Sequence, residues 1–196
     1  MIYSVLPRTK FLIPRSGADV VSRPELLARL ERALHRRLAL ISTPPGYGKT
    51  TLLAQLAEAT DQPLAWCQLD AGDSDPVVFL SAFIESLRHT RNAPDSEACA
   101  RMGRAALALL SNMEADLSIT PRRVLTVLIN ELLEQVERSW LVVLEDYHEI
   151  ANPAVHELLI LLLENAPPGL TLIISTRADP PLPLARLRAR GLLAEF

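Results

Sequence analysis

The feature that most constrains the fold is a set of short apolar segments separated by helical sequence. The strand candidates are Leu38–Ser42, residues 64–70, residues 140–146 and Leu170–Thr176, and a further one lies in the last five residues. The segments at 140–146 and Leu170–Thr176 begin as apolar runs, a pattern typical of strands that are buried on both faces. Strands that alternate with helices form a mostly parallel sheet with helices on both sides. The sequence therefore predicts an α/β fold.

Helix starts are marked in the same way at three places. A capping residue stands directly before proline at Asp75-Pro76, Thr120-Pro121 and Asn152-Pro153. The cap oxygen accepts a backbone N–H that has no partner inside the helix, and proline lacks such an N–H. Another helix is predicted to open at Arg23-Pro24, and an Ala/Leu-rich stretch at roughly residues 97–113 is predicted to be helical.

The composition fits one folded domain and excludes several classes of protein. The chain has 196 residues, of which 49% are hydrophobic and 22% charged, so it can bury a core and is not disordered. Its two cysteines cannot form a disulfide framework. No apolar run approaches the roughly 20 residues of a membrane span, and the N-terminus lacks the apolar region of a signal peptide. The sequence therefore predicts a soluble cytoplasmic protein without membrane contact.

The charge distribution is uneven. The net charge of −3 argues against a protein that tracks nucleic-acid phosphates. Residues 1–37 nevertheless contain eight basic and three acidic residues. This segment is short and mostly helical, and we interpret its charges as a solvated face rather than a DNA contact.

The first strand candidate leads into a loop whose residues suit phosphate binding. Ligands of parallel sheets bind at the carboxyl ends of the strands, and residues 43–51 (TPPGYGKTT) lie at such an end. Gly46 and Gly48 permit a tight loop whose N–H groups point inward, and the following helix adds its positive end. Lys49 would reach the β- and γ-phosphates, Thr50 would offer its hydroxyl to Mg²⁺, and Thr51 would contact the α-phosphate.

The match of this loop to G-x-x-x-x-G-K-[ST] is incomplete, because Thr43 stands where the first glycine belongs. The alternative is a Gly/Pro turn that happens to precede a lysine. That alternative does not explain why lysine stands here in a chain with two lysines and eighteen arginines. The strand before the loop and the amphipathic helix after it favour the phosphate-binding interpretation.

Acidic and basic residues follow two further strand candidates. Adjacent carboxylates at a buried strand end, Glu145 and Asp146, are costly unless a cation meets them. Glu145 is predicted to bind Mg²⁺ and Asp146 to polarise a water molecule, and the reverse assignment stays open. Arg177 could sense the γ-phosphate, although a surface arginine is an equal alternative. Asp70 is a weaker candidate for organising the waters of Mg²⁺.

Six segments taken in order show a resemblance to a known family. They are TKFLIPR, VSRPELLARL, TPPGYGKTTLLAQ, LAWCQLD with GDSDP one residue later, LVVLEDYHEI and ISTRADPPLPLARLRARG. Together they resemble the N-terminal nucleotide-binding domain of MalT-like, LuxR-family large ATP-binding transcriptional regulators, which belong to the STAND class of P-loop NTPases. The resemblance implies a five-stranded parallel sheet, binding of ATP or ADP with Mg²⁺, slow hydrolysis, and a nucleotide-controlled switch to an oligomeric state.

The resemblance also implies roles for single residues. It assigns the following residues to the phosphate loop: Pro45, Gly46, Tyr47, Gly48, Lys49, Thr50 and Thr51. Glu145 and Asp146 become the acids of the Mg²⁺ and water site, with Thr50 as the second metal ligand, and Arg177 becomes the sensor. Val21 and Arg23 match the family segment that lies near the adenine.

The domain organisation and the partners are expected to follow from the same resemblance. Residues 1–22 are expected to form a basic arm and residues 23–196 the nucleotide-binding domain, without the winged-helix, repeat-sensor and DNA-binding parts of the family. The expected partners are ATP and either a second copy or other domains of a full-length regulator, with no direct DNA binding. Two alternatives stay open: a small P-loop kinase with Arg186, Arg188 and Arg190 in its lid, or a degenerate, non-hydrolysing interaction domain.

Overall fold

The elements of the structure alternate along the chain as the apolar pattern predicts. The computed structural model describes residues 6–15, 17, 21, 23–136 and 139–196. The strands are β1 Leu38–Ser42, β2 Leu64–Gln68, β3 Trp140–Glu145, β4 Leu170–Thr176 and β5 Leu193–Glu195. The α-helices are α1 Pro24–Ala33, α2 Lys49–Ala59, α3 Pro76–Arg88, α4 Ser96–Arg101, α5 Arg104–Asn112, α6 Pro121–Gln135, α7 Pro153–Asn165 and α8 Leu184–Ala189. None of the helices in this described part is long and apolar enough to cross a bilayer.

The five strands form one sheet in the order β2-β3-β4-β1-β5. Every pair is parallel, and the registers bring Ser42 opposite Thr176 and Leu144 opposite Ile174. The carboxyl ends of β1, β4 and β3 therefore lie side by side, with β4 in the middle. This arrangement confirms the predicted α/β class, and it brings the three predicted strand ends to one edge.

Apolar side chains alternate between the two faces of the sheet. In β1, Leu38 and Leu40 belong to one buried cluster, and Ala39 and Ile41 belong to another. The larger cluster lies beneath α3, α6 and α7, and the smaller one lies beneath α1 and α2. Both faces are thus covered, as the apolar runs of β3 and β4 predict.

The predicted helix starts are confirmed by their caps. The Asp75 carboxylate accepts the N–H groups of Val77 and Val78 at the start of α3. The side chains of Thr120 and Asn152 do the same for α6 and α7, each directly before a proline. The interpretation of Asp75 as a helix cap is therefore confirmed.

The predicted helical stretch at roughly residues 97–113 is confirmed, but it is not continuous. Two helices occupy this stretch, α4 and α5, and the chain breaks between them at Gly103, whose φ is +69°. A Cβ on Gly103 would lie 2.4 Å from the Ile84 side chain. The high helix propensity of the flanking Ala and Leu residues is overridden here, because the glycine lets the chain pass close to α3 and turn.

The segment before α1 is only partly a solvated face. Residues Arg8–Phe11 form a 3₁₀ turn that contacts β2, and Phe11 stacks on His89 with 5.4 Å between ring centroids. Arg8 is exposed, but Lys10 is buried. A lysine in such a place requires a negative partner, which is described with the site.

Candidate functional site

The loop between β1 and α2 has the backbone that its two glycines permit. Gly46 and Gly48 have φ values of +85° and +78°, in the left-handed region. A Cβ at Gly46 would have no neighbour within 4 Å, so glycine is needed there for conformation and not for space. Leu52, Leu53 and Leu56 bury one face of α2 in the core. The loop therefore lies at the carboxyl edge of the sheet on a helix start that packing holds in place.

Lys49 places its ammonium group against the inner side of this loop. Its Nζ donates to the carbonyl oxygens of Thr43 at 2.7 Å and Pro44 at 3.1 Å. The side chain is partly buried, at the first position of α2. A cation and a helix N-terminus thus meet at one point, which is the electrostatic requirement for a polyphosphate site.

Thr50 contacts the acid at the end of β3. Its Oγ1 donates a hydrogen bond to Oε1 of Glu145, a residue only 2% exposed. Burial raises the pKa of the Glu145 carboxyl above its ordinary value, and the hydrogen bond from Thr50 opposes the rise. A hydroxyl and a carboxylate are oxygen ligands of the kind that Mg²⁺ takes, so this pair fits that ion.

Asp146 has a different environment from its neighbour Glu145. Its φ is +57°, and its backbone N–H donates to Oγ of Ser175, at the end of β4, at 3.3 Å. The Asp146 side chain is 28% exposed, with Nδ1 of His148 3.9 Å from one of its oxygens. A left-handed residue that is not glycine is uncommon and costs free energy. The strained backbone places the second carboxylate at the surface, while the first stays buried.

The remaining predicted residues lie at the same edge in looser arrangements. Arg23, just before α1, donates to the carbonyl oxygen of Tyr47 at 3.2 Å. It also lines a cavity of about 430 Å³ with the first turns of α1. Val21 is 77% exposed. Arg177 directly follows β4 and is exposed. The structure thus brings Arg23, Lys49, Thr50, Glu145 and Asp146 to one edge of the sheet. Arg177 is assigned to this edge only by its position directly after β4.

A larger cavity lies away from this edge. It has about 920 Å³ and is lined by Pro63, Ser139 and Trp140 at the starts of β2 and β3, together with residues of α1 and α4. Size alone would favour it as a ligand site. We prefer the opposite edge, because phosphate is recognised by cations and helix N-terminal N–H groups at a surface and does not need a deep apolar cavity.

One charged cluster escaped the sequence interpretation. Lys10 lies 2.8 Å from Asp70 and 2.6 Å from the fully buried Asp73. Asp70, considered above for the waters of Mg²⁺, therefore uses its carboxylate to bind the N-terminal segment. The rarity of lysine pointed to Lys49 but applied equally to Lys10, so the same signal could have found it.

Two histidines lie near the acids, and we interpret them as structural. Nδ1 of His156 lies 2.7 Å from the hydroxyl of Tyr147, and both residues are buried. This contact joins α7 to the turn that follows Asp146. The ring of His148 lies between Asp146 and Glu149.

Comparisons with known proteins give a family match and similar curated relatives. The model of the AAA ATPase domain matches residues 20–174. The HTH-type transcriptional regulator MalT of Cronobacter sakazakii (strain ATCC BAA-894) is 36% identical over 176 residues, which are 90% of this chain and 18% of that protein. The chain thus spans about a fifth of the length of this curated relative.

Solved structures superpose only loosely on this chain. Drosophila ORC bound to DNA superposes with a TM-score of 0.47 and 10% identity, covering 88% of this chain and 87% of that one. Caenorhabditis elegans PCH-2 gives a TM-score of 0.35 and 18% identity, covering 87% of this chain and 40% of that one. Likeness at this level carries no argument about what this chain binds.

Proposed function

Because the chain belongs to the AAA ATPase domain family, we propose that it is a nucleotide-controlled switch domain of a MalT-like transcriptional regulator. It binds ATP or ADP and hydrolyses ATP slowly with Mg²⁺. The observation that carries this proposal is the hydrogen bond from Thr50 to Glu145. Thr50 directly follows Lys49 in the chain. Such a pair, a hydroxyl of the phosphate loop and a buried acid at the end of another strand, is the one that would hold Mg²⁺ beside a bound polyphosphate.

Each residue has a defined task in this proposal. Lys49 and the N–H groups of the loop bind the β- and γ-phosphates, and Thr51 contacts the α-phosphate. Thr50 and Glu145 would hold Mg²⁺, which neutralises charge on the phosphates when bound. Asp146, at the surface beside Glu145, orients the attacking water. Arg177 contacts the γ-phosphate through its planar guanidinium.

The base is proposed to lie near the start of α1. Arg23 contacts the phosphate loop at Tyr47 and lines the cavity of about 430 Å³ there. A base in this place would be next to Val21, which precedes Arg23 in the chain. Either a second copy of the chain or further domains of a longer protein would then respond to the nucleotide.

Binding can be tested by calorimetry with Mg²⁺ and ATP. We expect Lys49→Ala to lose a charge-assisted contact worth about 2–3 kcal/mol, and so to bind about 30- to 150-fold more weakly. Arg101→Ala is the matched control, because it removes an exposed positive charge on α4. If Lys49→Ala keeps the affinity of the control, the phosphate site is assigned to the wrong loop.

The phosphotransferase alternative receives no support from its proposed lid. Arg186 forms an ion pair with Glu164, and Arg188 forms one with Glu195. Arginines used to pack α8 on its own domain are not poised to cover a substrate. Release of phosphate, without any phosphorylated acceptor, is the product that we expect.

A further inference from the structure

The N-terminal segment is attached to the domain through a buried ion pair. Nζ of Lys10 lies 2.6 Å from Oδ2 of Asp73 and 2.8 Å from Oδ2 of Asp70. Lys10 is 8% exposed and Asp73 is fully buried. Burial lowers the pKa of Lys10, but the hydrogen bonds to the two carboxylates raise it above its ordinary value. Lys10 is therefore charged, and it neutralises a carboxylate that could not stay buried alone.

The same carboxylate organises the turn that follows β2. Oδ2 of Asp73 accepts the backbone N–H of Asp70 at 2.8 Å, and Oδ1 of Asp70 accepts the N–H of Gly72 at 2.8 Å. Within the described part of the chain, the other oxygen of Asp73 is buried without a hydrogen-bond partner. Among the described residues, Lys10 is thus the one positively charged side chain that forms an ion pair with Asp73. Without Lys10, this turn would contain a buried, unneutralised charge.

The turn at residues 70–75 is also hydrogen-bonded directly to the segment that contains Asp146. Oγ of Ser74 donates to the carbonyl oxygen of Glu149 at 3.3 Å and accepts the N–H of Ala151 at 3.0 Å. The backbone N–H of Leu69 donates to the carbonyl oxygen of Glu145 at 2.9 Å. Residues 145–151 are therefore held by the end of β2 and its turn on one side, and by Ser175 of β4 on the other.

We propose that Lys10 is a positioning residue for Asp146. It acts by neutralising Asp73, which keeps the turn at 70–75 in place, and Ser74 of that turn fixes the segment after the strained Asp146. This inference rests on the proposed function for its effect on hydrolysis. The phosphate loop is carried by β1 and α2, whereas the ion pairs of Lys10 are with the turn after β2, so we expect nucleotide binding to be independent of Lys10.

Hydrogen exchange followed by mass spectrometry tests the positioning without any nucleotide. Lys10→Met keeps the length of the side chain and removes its charge. We expect amides in residues 70–75 and 146–151 to exchange about tenfold faster, with residues 43–51 unchanged. Arg8→Met removes an exposed charge from the same 3₁₀ turn and is the matched control. Unchanged exchange at 146–151 in folded Lys10→Met would overturn the proposal.

Hydrolysis kinetics provide the second measurement. We expect Lys10→Met to lower kcat about tenfold while KM stays within about twofold, because binding is spared. The double variant Lys10→Met/Asp73→Asn removes the unneutralised carboxylate and should recover most of the lost protection at 146–151. A double variant no better than Lys10→Met would show that Lys10 does not act through Asp73.

A further variant covers the case in which Lys10→Met does not fold. Ser74→Ala leaves the ion pair intact and removes only the link to residues 149–151. We expect the amides of residues 146–151 to exchange faster, those of residues 70–75 to stay protected, and kcat to fall. Unchanged exchange at residues 146–151 would overturn the proposal. If the wild-type chain binds ATP but releases no phosphate, the proposed hydrolysis fails, and the exchange experiment still decides whether Lys10 positions this segment.

Discussion

At the scale of single residues, the site separates two neighbouring carboxylates by their environments. Glu145 ends β3 and is buried against Thr50, whereas Asp146 turns into a left-handed conformation and is partly exposed. A buried acid beside a hydroxyl suits a metal ligand, and an acid near the surface suits contact with water. The geometry therefore favours the assignment of Glu145 to Mg²⁺ and Asp146 to the water.

The two roles predict different kinetic defects. We expect Asp146→Asn to keep the affinity for Mg²⁺ and ATP and to lower the rate of hydrolysis about 100-fold, because the water loses its polarising group. Glu145→Gln should instead weaken the Mg²⁺ dependence of ATP binding, measured by titrating the metal at fixed nucleotide. The opposite pattern, with Mg²⁺ dependence lost only in Asp146→Asn, would exchange the two roles.

The same scale shows what a sequence can predict about a site. The phosphate loop was recognisable because its glycines and lysine are adjacent in the chain, and Asp75, Thr120 and Asn152 could be recognised as caps because each precedes a proline. Lys10 and Asp73 are 63 residues apart. No local pattern joins them, since their contact depends on how the segment before α1 packs beside β2.

At the scale of elements, the strands were predictable and one helix break was not. Strands buried on both faces have a strong apolar signal, so β1 to β4 were predicted near their observed positions, and the short edge strand β5 was predicted only from the apolar end of the chain. The break between α4 and α5 depends on Gly103, which approaches Ile84 of α3. An isolated glycine in a helical pattern does not reveal such an approach, because the neighbouring helix is distant in sequence.

Gly103 should therefore be intolerant of any side chain. We expect Gly103→Ala to lower the free energy of unfolding by about 2–4 kcal/mol, from the left-handed backbone and from the clash with Ile84. Urea denaturation followed by circular dichroism would measure it. Ala105→Gly, at an exposed position of α5, is the control and should cost about 0.5–1 kcal/mol. Equal costs for the two variants would contradict the packing argument.

At the scale of the whole molecule, Arg177 has two conceivable targets: a nucleotide bound to its own chain, or one bound to a neighbouring copy. The residue is exposed just after β4, between the strands that carry the loop and the acids. We propose that Arg177 serves the nucleotide of the same molecule, because β4, which it follows, lies between β1 and β3 in one sheet.

This assignment predicts the behaviour of mixed variants. Arg177→Ala should lower the hydrolysis rate about 10- to 100-fold with ADP affinity unchanged, since the lost contact is to the γ-phosphate. Mixing Arg177→Ala with Asp146→Asn should not restore activity, because each molecule still lacks one group. Activity recovered on mixing would show that Arg177 acts on the nucleotide of a neighbouring copy.

The unequal division of the core between the two faces of the sheet has a thermodynamic consequence. The layer of α1 and α2 rests on the smaller buried cluster, and α2 begins at the phosphate loop. Less buried apolar surface means a lower free energy for local opening, so this layer should separate from the sheet before α3, α6 and α7 do. Ligand binding opposes any opening that destroys its site. A bound nucleotide would thus strengthen chiefly the half of the molecule that is weakest without it.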